Sequence, residues 1–318
     1  MATTIPEPQE APQLEEQPGL YELIGGEIVG DLTSRDVLAG IKPEMSEMDK
    51  ERLVLWAKEF KFWEDFSRIY HYLEYTRFYN DLVGTVRDFA EPNRGDIWLD
   101  AGCGSVKMSQ LIWEKSGKSL EKIIGIDIVL EPARQRLDEL GHSLPLELKY
   151  ANLGEKLPFA DNFFDGIVAN ACLTSVIDFN GKKGKAAFTE VMREMFRILK
   201  PRGHIVWSTP KRRPFYWKNF VVGLPAMFSI RRQIQHRIFA PAIGIRILKY
   251  GLGIVSKGRK GIYPFLNPAE YEEILGGIGF GDFRWKKSFA GQVWVNRADK
   301  LCPSSPPKVA TNEPMPER

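Results

Sequence analysis

The chain is poor in the residues that form disulfides or bind metals, since its 318 residues include 3 cysteines and 4 histidines. The cysteines have no paired spacing, which argues against a disulfide framework or a zinc knuckle and favours a reducing compartment. The histidines are scattered along the chain, so their spacing indicates no metal site.

Long apolar runs are also missing. No stretch reaches the roughly 18 uncharged apolar residues that a membrane-spanning helix needs. Residues 1–45 are acidic and rich in proline near the start, without the apolar segment of a signal peptide, so we expect a disordered or irregular segment there. Residues 301–318 should form a second disordered tail. We therefore expect a cytoplasmic protein, either free or peripheral on a membrane.

Acidic residues are absent from one part of the chain. Residues 211–260 carry twelve bases and no acid, whereas residues 1–50 carry eleven acids and three bases. The net charge of +3 hides this asymmetry. Isoleucines at four-residue steps (Ile230, Ile234 and Ile238) alternate with arginines in this basic segment, and Pro241 should break the helix that they predict.

The order of apolar patterns divides the chain. Residues 46–95 should form a helical lid, because aromatic and aliphatic residues recur there at steps of three and four. From residue 96, short apolar runs alternate with helical segments, which predicts a parallel sheet covered on both faces. The five runs are IWLDA (97–101), IIGID (123–127), LELKYAN (146–152), FDGIVAN (164–170) and GHIVWST (203–209).

The end of this α/β region, which we place at residues 96–300, contains two further patterns. Residues 211–261 interrupt it as a basic amphipathic insertion after the fifth strand. A last helix should then begin at Asn267, with Pro268 in its first position and Glu270 in its first turn. Residues 283–298 should form two closing strands.

A Gly-x-Gly turn links the first strand to the first helix, in the sequence LDAGCGSVKM (99–108). Glycines allow the backbone to turn tightly and to approach a ligand. Asp127 ends the next strand, where a carboxylate can accept hydrogen bonds from both hydroxyls of a ribose. Val106 replaces the third glycine of dinucleotide-binding loops, which favours a nucleoside ligand without a pyrophosphate.

Four ordered segments carry a resemblance to a known family. They are WLDAGCGSV (98–106), IIGIDIVLEPARQRL (123–137), ANLGEKLPFADNFFDGIVANACL (151–173) and EVMREMFRILKPRGHIVWSTP (190–210). Together they resemble the class I methyltransferases that use S-adenosylmethionine. The resemblance implies a Rossmann-like α/β fold, with a seven-stranded, mostly parallel sheet and an antiparallel last strand. Val106 departs from the family, which usually has glycine or alanine there.

The resemblance also implies roles for individual residues. Those expected to wrap the methionine and ribose parts of the cofactor are Asp100, Ala101, Gly102, Cys103 and Gly104. Asp127 would bind the ribose hydroxyls and Ile128 would pack on the adenine. Asn152 stands where aspartate is common and would bond the adenine amino group, with Leu153 beside it. Asn170 and Ala171 would line the sulfonium side.

The catalytic residues are the least readable feature, since an activated methyl group needs mainly alignment and exclusion of water. Quinone C-methyltransferases have a tyrosine followed by aspartate before the sheet, near the active site. Here Tyr70 is followed by His71, which could act as a base. The alternative is that both residues only pack in the helical lid.

The sequence leaves open which molecule accepts the methyl group. The basic insertion, rich in aliphatic residues, suits an anionic membrane surface, and residues 271–300 loosely resemble the ends of ubiquinone and menaquinone methyltransferases. We therefore expect a small hydrophobic acceptor, such as a quinone, isoprenoid or other lipid. The alternatives are an RNA or protein methyltransferase, a non-catalytic adaptor that binds the cofactor, and an insertion that is only a solvated basic face.

Overall fold

The computed structural model describes residues 18–24, 32–214 and 234–302. Their order is α1 (Leu20–Ile24), α2 (Ser34–Ala39), α3 (Glu47–Tyr70), α4 (Arg77–Phe89), β1 (Ile97–Ala101), α5 (Lys107–Lys115), β2 (Lys122–Asp127), α6 (Glu131–Glu139), β3 (Leu146–Tyr150), β4 (Phe164–Asn170), α7 (Gly184–Ile198), β5 (Leu199–Pro210), α8 (Ile234–Arg259), α9 (Pro268–Ile278), β6 (Phe280–Ser288) and β7 (Val293–Lys300). Short 3-10 turns follow α3 (His71–Tyr75) and β4 (Leu173–Ser175).

The seven strands form one sheet in the order β3-β2-β1-β4-β5-β7-β6. The first five strands pair in parallel, and β7 runs antiparallel to both of its neighbours, which confirms the expected sheet. The strand order reverses between β1 and β4. A crevice at the carboxyl ends of the strands is expected at such a reversal.

Buried apolar side chains cover both faces of the sheet. One face packs against α7 and α9 through Phe188, Met192 and Tyr271, and the other against α4 and α5 through Val86 and Ile112. The start of α9 follows its sequence signature, because the side chain of Asn267 accepts from the N–H of Glu270 and the Glu270 carboxylate accepts in return. The helices packed on both faces of the sheet hold the strands, and therefore their carboxyl ends, in place.

The N-terminal region is more regular than expected in its described part. Helix α2 begins at a capping box between Thr33 and Asp36, which satisfies backbone donors that a short helix otherwise leaves free. Leu20 and Val37 are buried against α3. Residues 1–17, 25–31 and 303–318, where disorder was predicted, lie outside the described residues.

Helix α8 packs across α3 as a lid over the carboxyl ends of the strands. Tyr250 stacks on Phe66, with ring centroids 5.1 Å apart, and meets Phe62 edge-on. The predicted break at Pro241 is wrong, because α8 continues through that residue. A proline removes one helical hydrogen bond, and helices accommodate this by kinking when the following turns are held by packing.

The rest of the insertion is only partly described. Ile230, Arg231 and Arg232 lie outside the described residues. In the parts of the chain that are described, no helix has the length and apolarity to cross a membrane.

Candidate active site

A cavity of about 710 Å³ opens at the carboxyl ends of the parallel strands, under α3 and α8. Its wall includes all but one of the residues expected in the site, namely Tyr70, His71, Asp100, Gly102, Cys103, Gly104, Asp127, Ile128, Asn152, Leu153, Asn170 and Ala171. The exception is Ala101, which is buried in the core while its carbonyl oxygen accepts from Cys172 Sγ at 2.8 Å. The topology therefore gathers residues that are far apart in sequence.

The Gly-x-Gly turn is anchored to the neighbouring strand. The N–H groups of Gly102 and Cys103 both donate to the carbonyl oxygen of Ile126, at 2.8 and 3.0 Å. Gly102 has φ +69°, and a Cβ there would lie 2.5 Å from Cys172 Cβ. Only glycine fits this position, so the backbone of the turn remains uncovered toward the cavity.

Asp127 closes the turn from the end of β2. Its carboxylate accepts from the N–H of Gly104 at 2.9 Å and from the N–H of Val129 at 3.0 Å. Burial raises the pKa of this carboxyl above its usual range, and the backbone N–H donors oppose that rise. A carboxylate oxygen can accept more than one hydrogen bond, so Asp127 can also accept from a ligand.

Asp100 lies beside it at the end of β1 and is almost fully buried. One of its oxygens accepts from both the N–H and the hydroxyl of Ser109, at 2.9 and 2.6 Å. Burial raises the pKa of Asp100 to about 6, the Ser109 hydrogen bonds oppose the rise, and the negative charge of Asp127 adds to it. Two neighbouring carboxyls in a low-dielectric wall favour a cationic ligand.

Asn152 follows β3, and its side chain is buried. Its Oδ1 accepts from the N–H of Gly154 at 2.9 Å, while its Nδ2 has no hydrogen-bond partner among the described residues. A buried amide donor without an acceptor is costly, by about 1–3 kcal/mol. This end of the cavity therefore lacks one acceptor, which a ligand can supply.

A chain of polar groups crosses the cavity at the end of β4. Asn170 accepts from the hydroxyl of Ser208 at 2.6 Å and directs its Nδ2 toward the Tyr79 hydroxyl at 3.5 Å. The hydroxyls of Tyr79 and Tyr70 are 3.2 Å apart. Burial raises the pKa of both phenols, so they stay protonated at neutral pH.

Tyr79 is a site residue that the sequence analysis missed. Its place in the aromatic and aliphatic pattern of residues 46–95 indicated a core position, and it is indeed buried. Only the fold shows that its hydroxyl reaches the cavity wall between Tyr70 and Asn170.

His71 lies at the exposed rim of the cavity, on the 3-10 turn after α3. Its ring lies 4.1 Å from that of Tyr72, measured between centroids. Desolvation lowers the pKa of His71 below its usual range, although the nearby carboxylate of Glu74 raises it. The imidazole is therefore mostly neutral at pH 7, as a base must be.

Comparison with known proteins agrees with this geometry. Residues 99–207 match a family model described as a methyltransferase domain. This chain is therefore an S-adenosylmethionine-dependent methyltransferase that resembles the class I family. These residues contain the Gly-x-Gly turn, Asp127, Asn152 and Asn170.

The relatives of this methyltransferase include enzymes of quinone synthesis. The demethylmenaquinone methyltransferase of Symbiobacterium thermophilum is 29% identical over 219 residues, which are 65% of this chain and 76% of that protein. The ubiquinone/menaquinone biosynthesis C-methyltransferase UbiE of Vibrio cholerae is 34% identical over 119 residues, or 37% of this chain. This match spans only 41% of the Vibrio protein.

A solved structure shares the fold. A chain of the complex between the Haloferax volcanii Trm112 methyltransferase activator and a methyltransferase aligns with a TM-score of 0.50 and 12% identity. The alignment covers 76% of this chain and 97% of that chain. At this identity the likeness concerns the fold alone.

The residues of this methyltransferase fit its cofactor, S-adenosylmethionine. The cofactor carries a purine, a ribose with two hydroxyls, a cationic sulfonium and an amino acid end. The cavity offers a carboxylate at Asp127, a second carboxyl at Asp100 and, at Asn152, an amide donor that has no partner among the described residues. The uncovered backbone of the glycine turn completes this half of the wall, which we call the polar half.

The other half of the wall is apolar. Its lining includes the aromatic rings of Trp63 and Phe66 from α3, Ile247 and Ile254 from α8, and Phe289 from the β6–β7 hairpin. The place of Phe289 in the cavity wall was not predicted from the sequence, because an apolar residue in a pair of predicted strands is equally typical of a core position. The cavity therefore joins a half lined by polar groups to a half lined by apolar side chains.

Val106 does not obstruct this cavity. The residue adopts a left-handed conformation, with φ 53° and ψ 22°, immediately before α5. Its side chain is fully buried in a cluster with Leu130 and Ala133 and is not part of the cavity wall. The departure from the family therefore affects the backbone of the turn rather than the space for the cofactor.

Proposed function

We propose that this methyltransferase transfers a methyl group to a small apolar acceptor of the quinone, isoprenoid or lipid class. The observation that carries the proposal is the apolar half of the cavity, which adjoins the polar half under α3 and α8. A nucleic acid or a peptide would need an open, polar groove at this place. The names of the relatives from Symbiobacterium and Vibrio support a quinone-like acceptor.

The polar half would hold the cofactor, which supplies an electrophilic methyl group on a sulfonium. We assign the amino acid end and the ribose to the turn from Asp100 to Gly104, and the ribose hydroxyls to Asp127. Ile128 and Leu153 would pack on the purine. Asn170 and Ala171 would line the sulfonium side, next to the apolar half.

Tyr70 and Tyr79 would position the acceptor. Both phenols stay protonated because burial raises their pKa, so they can donate a hydrogen bond to a carbonyl or phenolate oxygen of the acceptor. A phenol of raised pKa is a poor base at pH 7. We therefore assign proton removal to His71, which is mostly neutral and lies at the rim of the same cavity.

A steric block in the apolar half tests the acceptor class. Ile247 lines the cavity, whereas Ile245, two residues earlier on α8, points away from it and is 62% exposed. We expect Ile247→Trp to lower methyl transfer to quinols with an isoprenoid tail at least tenfold, without weakening cofactor binding. Ile245→Trp is the matched control and should leave transfer in detergent unchanged. Equal rates for the two variants would contradict the proposal.

The outer face of α8 supports action at a membrane surface. Ile245 and Leu252 are exposed there, 62% and 54% respectively, and the exposed cations Arg246 and Lys249 flank them. Apolar side chains among bases suit an anionic bilayer, which would deliver an apolar acceptor directly to the cavity beneath.

Vesicle sedimentation tests this part of the proposal. The protein should bind vesicles that contain phosphatidylglycerol and should bind pure phosphatidylcholine vesicles much more weakly. Changing Ile245 and Leu252 to aspartate should abolish binding, while the same change at exposed Leu38 of α2 should not. Salt-sensitive binding to RNA, with no binding to vesicles, would favour the nucleic-acid alternative instead.

A further inference from the structure

The β6–β7 hairpin carries a pair of tryptophans at the surface. Trp285 of β6 and Trp294 of β7 meet edge to face, with ring centroids 4.9 Å apart. Trp285 is 44% exposed and Trp294 is half-buried. Exposed tryptophans are typical of binding surfaces and of the boundary between lipid and water. Neither ring is part of the cavity wall, so methyl transfer does not account for them.

Two lysines converge on one of these rings. Lys211 Nζ lies 5.0 Å and Lys287 Nζ 5.5 Å from the centroid of the Trp294 ring. Burial lowers the pKa of Lys211, and the positive charge of Lys287 lowers it further. The next base along the chain, Arg212, pairs with Glu270, whereas neither lysine has an ion pair with a carboxylate among the described residues. Two like charges without a counter-ion favour an anionic partner.

These four side chains lie at the end of the sheet that faces the cavity. Val293 of β7 pairs with Pro210, the last residue of β5, so the turn of the hairpin lies at the carboxyl ends of the parallel strands. Val293 and Phe289 of the hairpin line the cavity. The N–H of Lys211 donates to the carbonyl oxygen of Gln292 at 3.0 Å, which fixes the backbone of Lys211 to the hairpin. The tryptophan pair and its lysines therefore lie at the same end of the molecule as the lid helix α8.

We propose that Lys211, Trp285, Lys287 and Trp294, which we call the hairpin patch, form a second membrane contact that takes the phosphate of an anionic lipid at its two lysines. This inference rests on the proposed action at a membrane surface, and it adds a contact on the sheet to the one on α8. The indoles would lie at the level of the headgroups, where tryptophan is enriched, and the lysines would be attracted by the anionic surface. Because a single helix can roll about its axis, a second contact would fix how the cavity faces the bilayer.

The geometry of the hairpin patch favours a lipid over a nucleic acid. Single-stranded nucleic acids bind by stacking their bases on open aromatic faces, with bases of the protein along the phosphates. Here both lysines lie near the ring of Trp294, and the edge-to-face contact with Trp285 takes up a further part of its surface. A headgroup phosphate needs the two ammonium groups and no open ring face.

Sedimentation with phosphatidylglycerol vesicles tests the proposal. We expect Lys287→Glu to weaken binding by about tenfold or more, because the change removes an attractive charge and adds a repulsive one. Lys118→Glu is the matched control, since it makes the same change of charge at an exposed position before β2, at the opposite edge of the sheet. It should weaken binding less than about twofold, because salt screens charges far from the bilayer. Both substituted positions are exposed, so the thermal midpoint should change little.

Fluorescence tests the aromatic part of the hairpin patch. Lipids with brominated acyl chains quench tryptophans that reach the bilayer. Wild-type protein bound to such vesicles should lose more fluorescence than bound Trp285→Phe does, because the variant lacks the most exposed ring of the pair. An equal fractional loss in the two proteins would show that Trp285 does not reach the lipid, and would overturn the proposal.

The vesicle results separate this inference from the proposed function. If Lys287→Glu binds like the wild-type protein, or no more weakly than Lys118→Glu, the hairpin patch is not a lipid contact, while the contact on α8 is tested by its own aspartate variants. Loss of binding to single-stranded RNA in Lys287→Glu, with vesicle binding intact, would overturn the proposal in favour of a nucleic acid. Wild-type protein that binds no vesicles would refute the proposed action at a membrane and this inference with it.

Discussion

The carboxylate of Asp127 links the glycine turn to the ribose in our account. We expect Asp127→Ala to weaken the binding of S-adenosylhomocysteine about 100-fold, because two hydrogen bonds to a charged acceptor are lost. The fold should persist with an unfolding free energy lower by about 1–2 kcal/mol, since the N–H groups of Gly104 and Val129 lose their acceptor.

Titration calorimetry and urea unfolding measure these two effects separately. Asp138→Ala, on the exposed surface of α6, serves as the control. Unchanged affinity in Asp127→Ala would refute the ribose site.

The pKa of Asp100, about 6, predicts how cofactor binding depends on pH. A cationic ligand binds the ionised carboxylate of Asp100. The affinity for the cofactor should therefore have its full value above pH 7 and should fall as the pH drops through 6. Linkage of one proton predicts a loss of about fivefold between pH 6 and pH 5. Calorimetry with S-adenosylmethionine over this range should show the dependence in the wild-type protein and not in Asp100→Asn. A dependence that persists in the variant would assign it to another group.

Val106 carries backbone strain, because a β-branched side chain in the left-handed region costs about 1–2 kcal/mol. Val106→Ala removes buried contacts and keeps most of that strain, whereas Val106→Gly releases it. The glycine variant should therefore be at least as stable as the alanine variant by urea unfolding. At Ala133, a helical position in the same buried cluster, glycine should cost about 1 kcal/mol relative to alanine. If the glycine variant were less stable than the alanine variant at position 106 as well as at position 133, the backbone strain at Val106 would be contradicted.

Helix α8 is held to α3 by a partly buried polar contact. Lys257 Nζ lies 2.6 Å from Glu59 Oε2 and 3.0 Å from the Tyr263 hydroxyl, over the ring of Phe62. Lys257→Met should leave Glu59 without its cation and lower the unfolding free energy by about 2–3 kcal/mol. Amide exchange in residues 242–259 should accelerate. Lys249→Met, at an exposed position of the same helix, should leave exchange unchanged, and equal exchange in both variants would show that this pair does not hold the lid.

Periodicity predicted the helices and strands well where one face of an element is buried. The α9 start at Asn267 was predictable because a capping box is local chemistry. The continuation of α8 through Pro241 was not predictable from the local sequence. The turns that follow Pro241 are held by contacts of Tyr250 with Phe62 and Phe66 of a distant helix. The start of strand β5 was not predictable either: the apolar run begins at residue 203, whereas the strand begins at Leu199. Its first residue pairs with Phe164 of β4, and the register shifts before the regular pairing that starts at His204.

For the chain as a whole, the cofactor half of the site was far easier to predict than the acceptor half. Asp100, Asp127, Asn152 and Asn170 each end or follow a strand, and parallel strands bring their ends together. The acceptor half is built from apolar side chains of α3, α8 and the last hairpin. Such residues look like any core in sequence, so only the fold shows that they surround a cavity.

The fate of a labelled methyl group tests the central claim, transfer to an apolar acceptor. The protein would be incubated with methyl-labelled S-adenosylmethionine and a cell lysate that contains membranes, RNA and protein, with Asp127→Ala as the inactive control. Our account predicts that the label enters the organic extract of the membranes, in wild-type samples alone. Label in the RNA or protein fraction, with none in the organic extract, would contradict it.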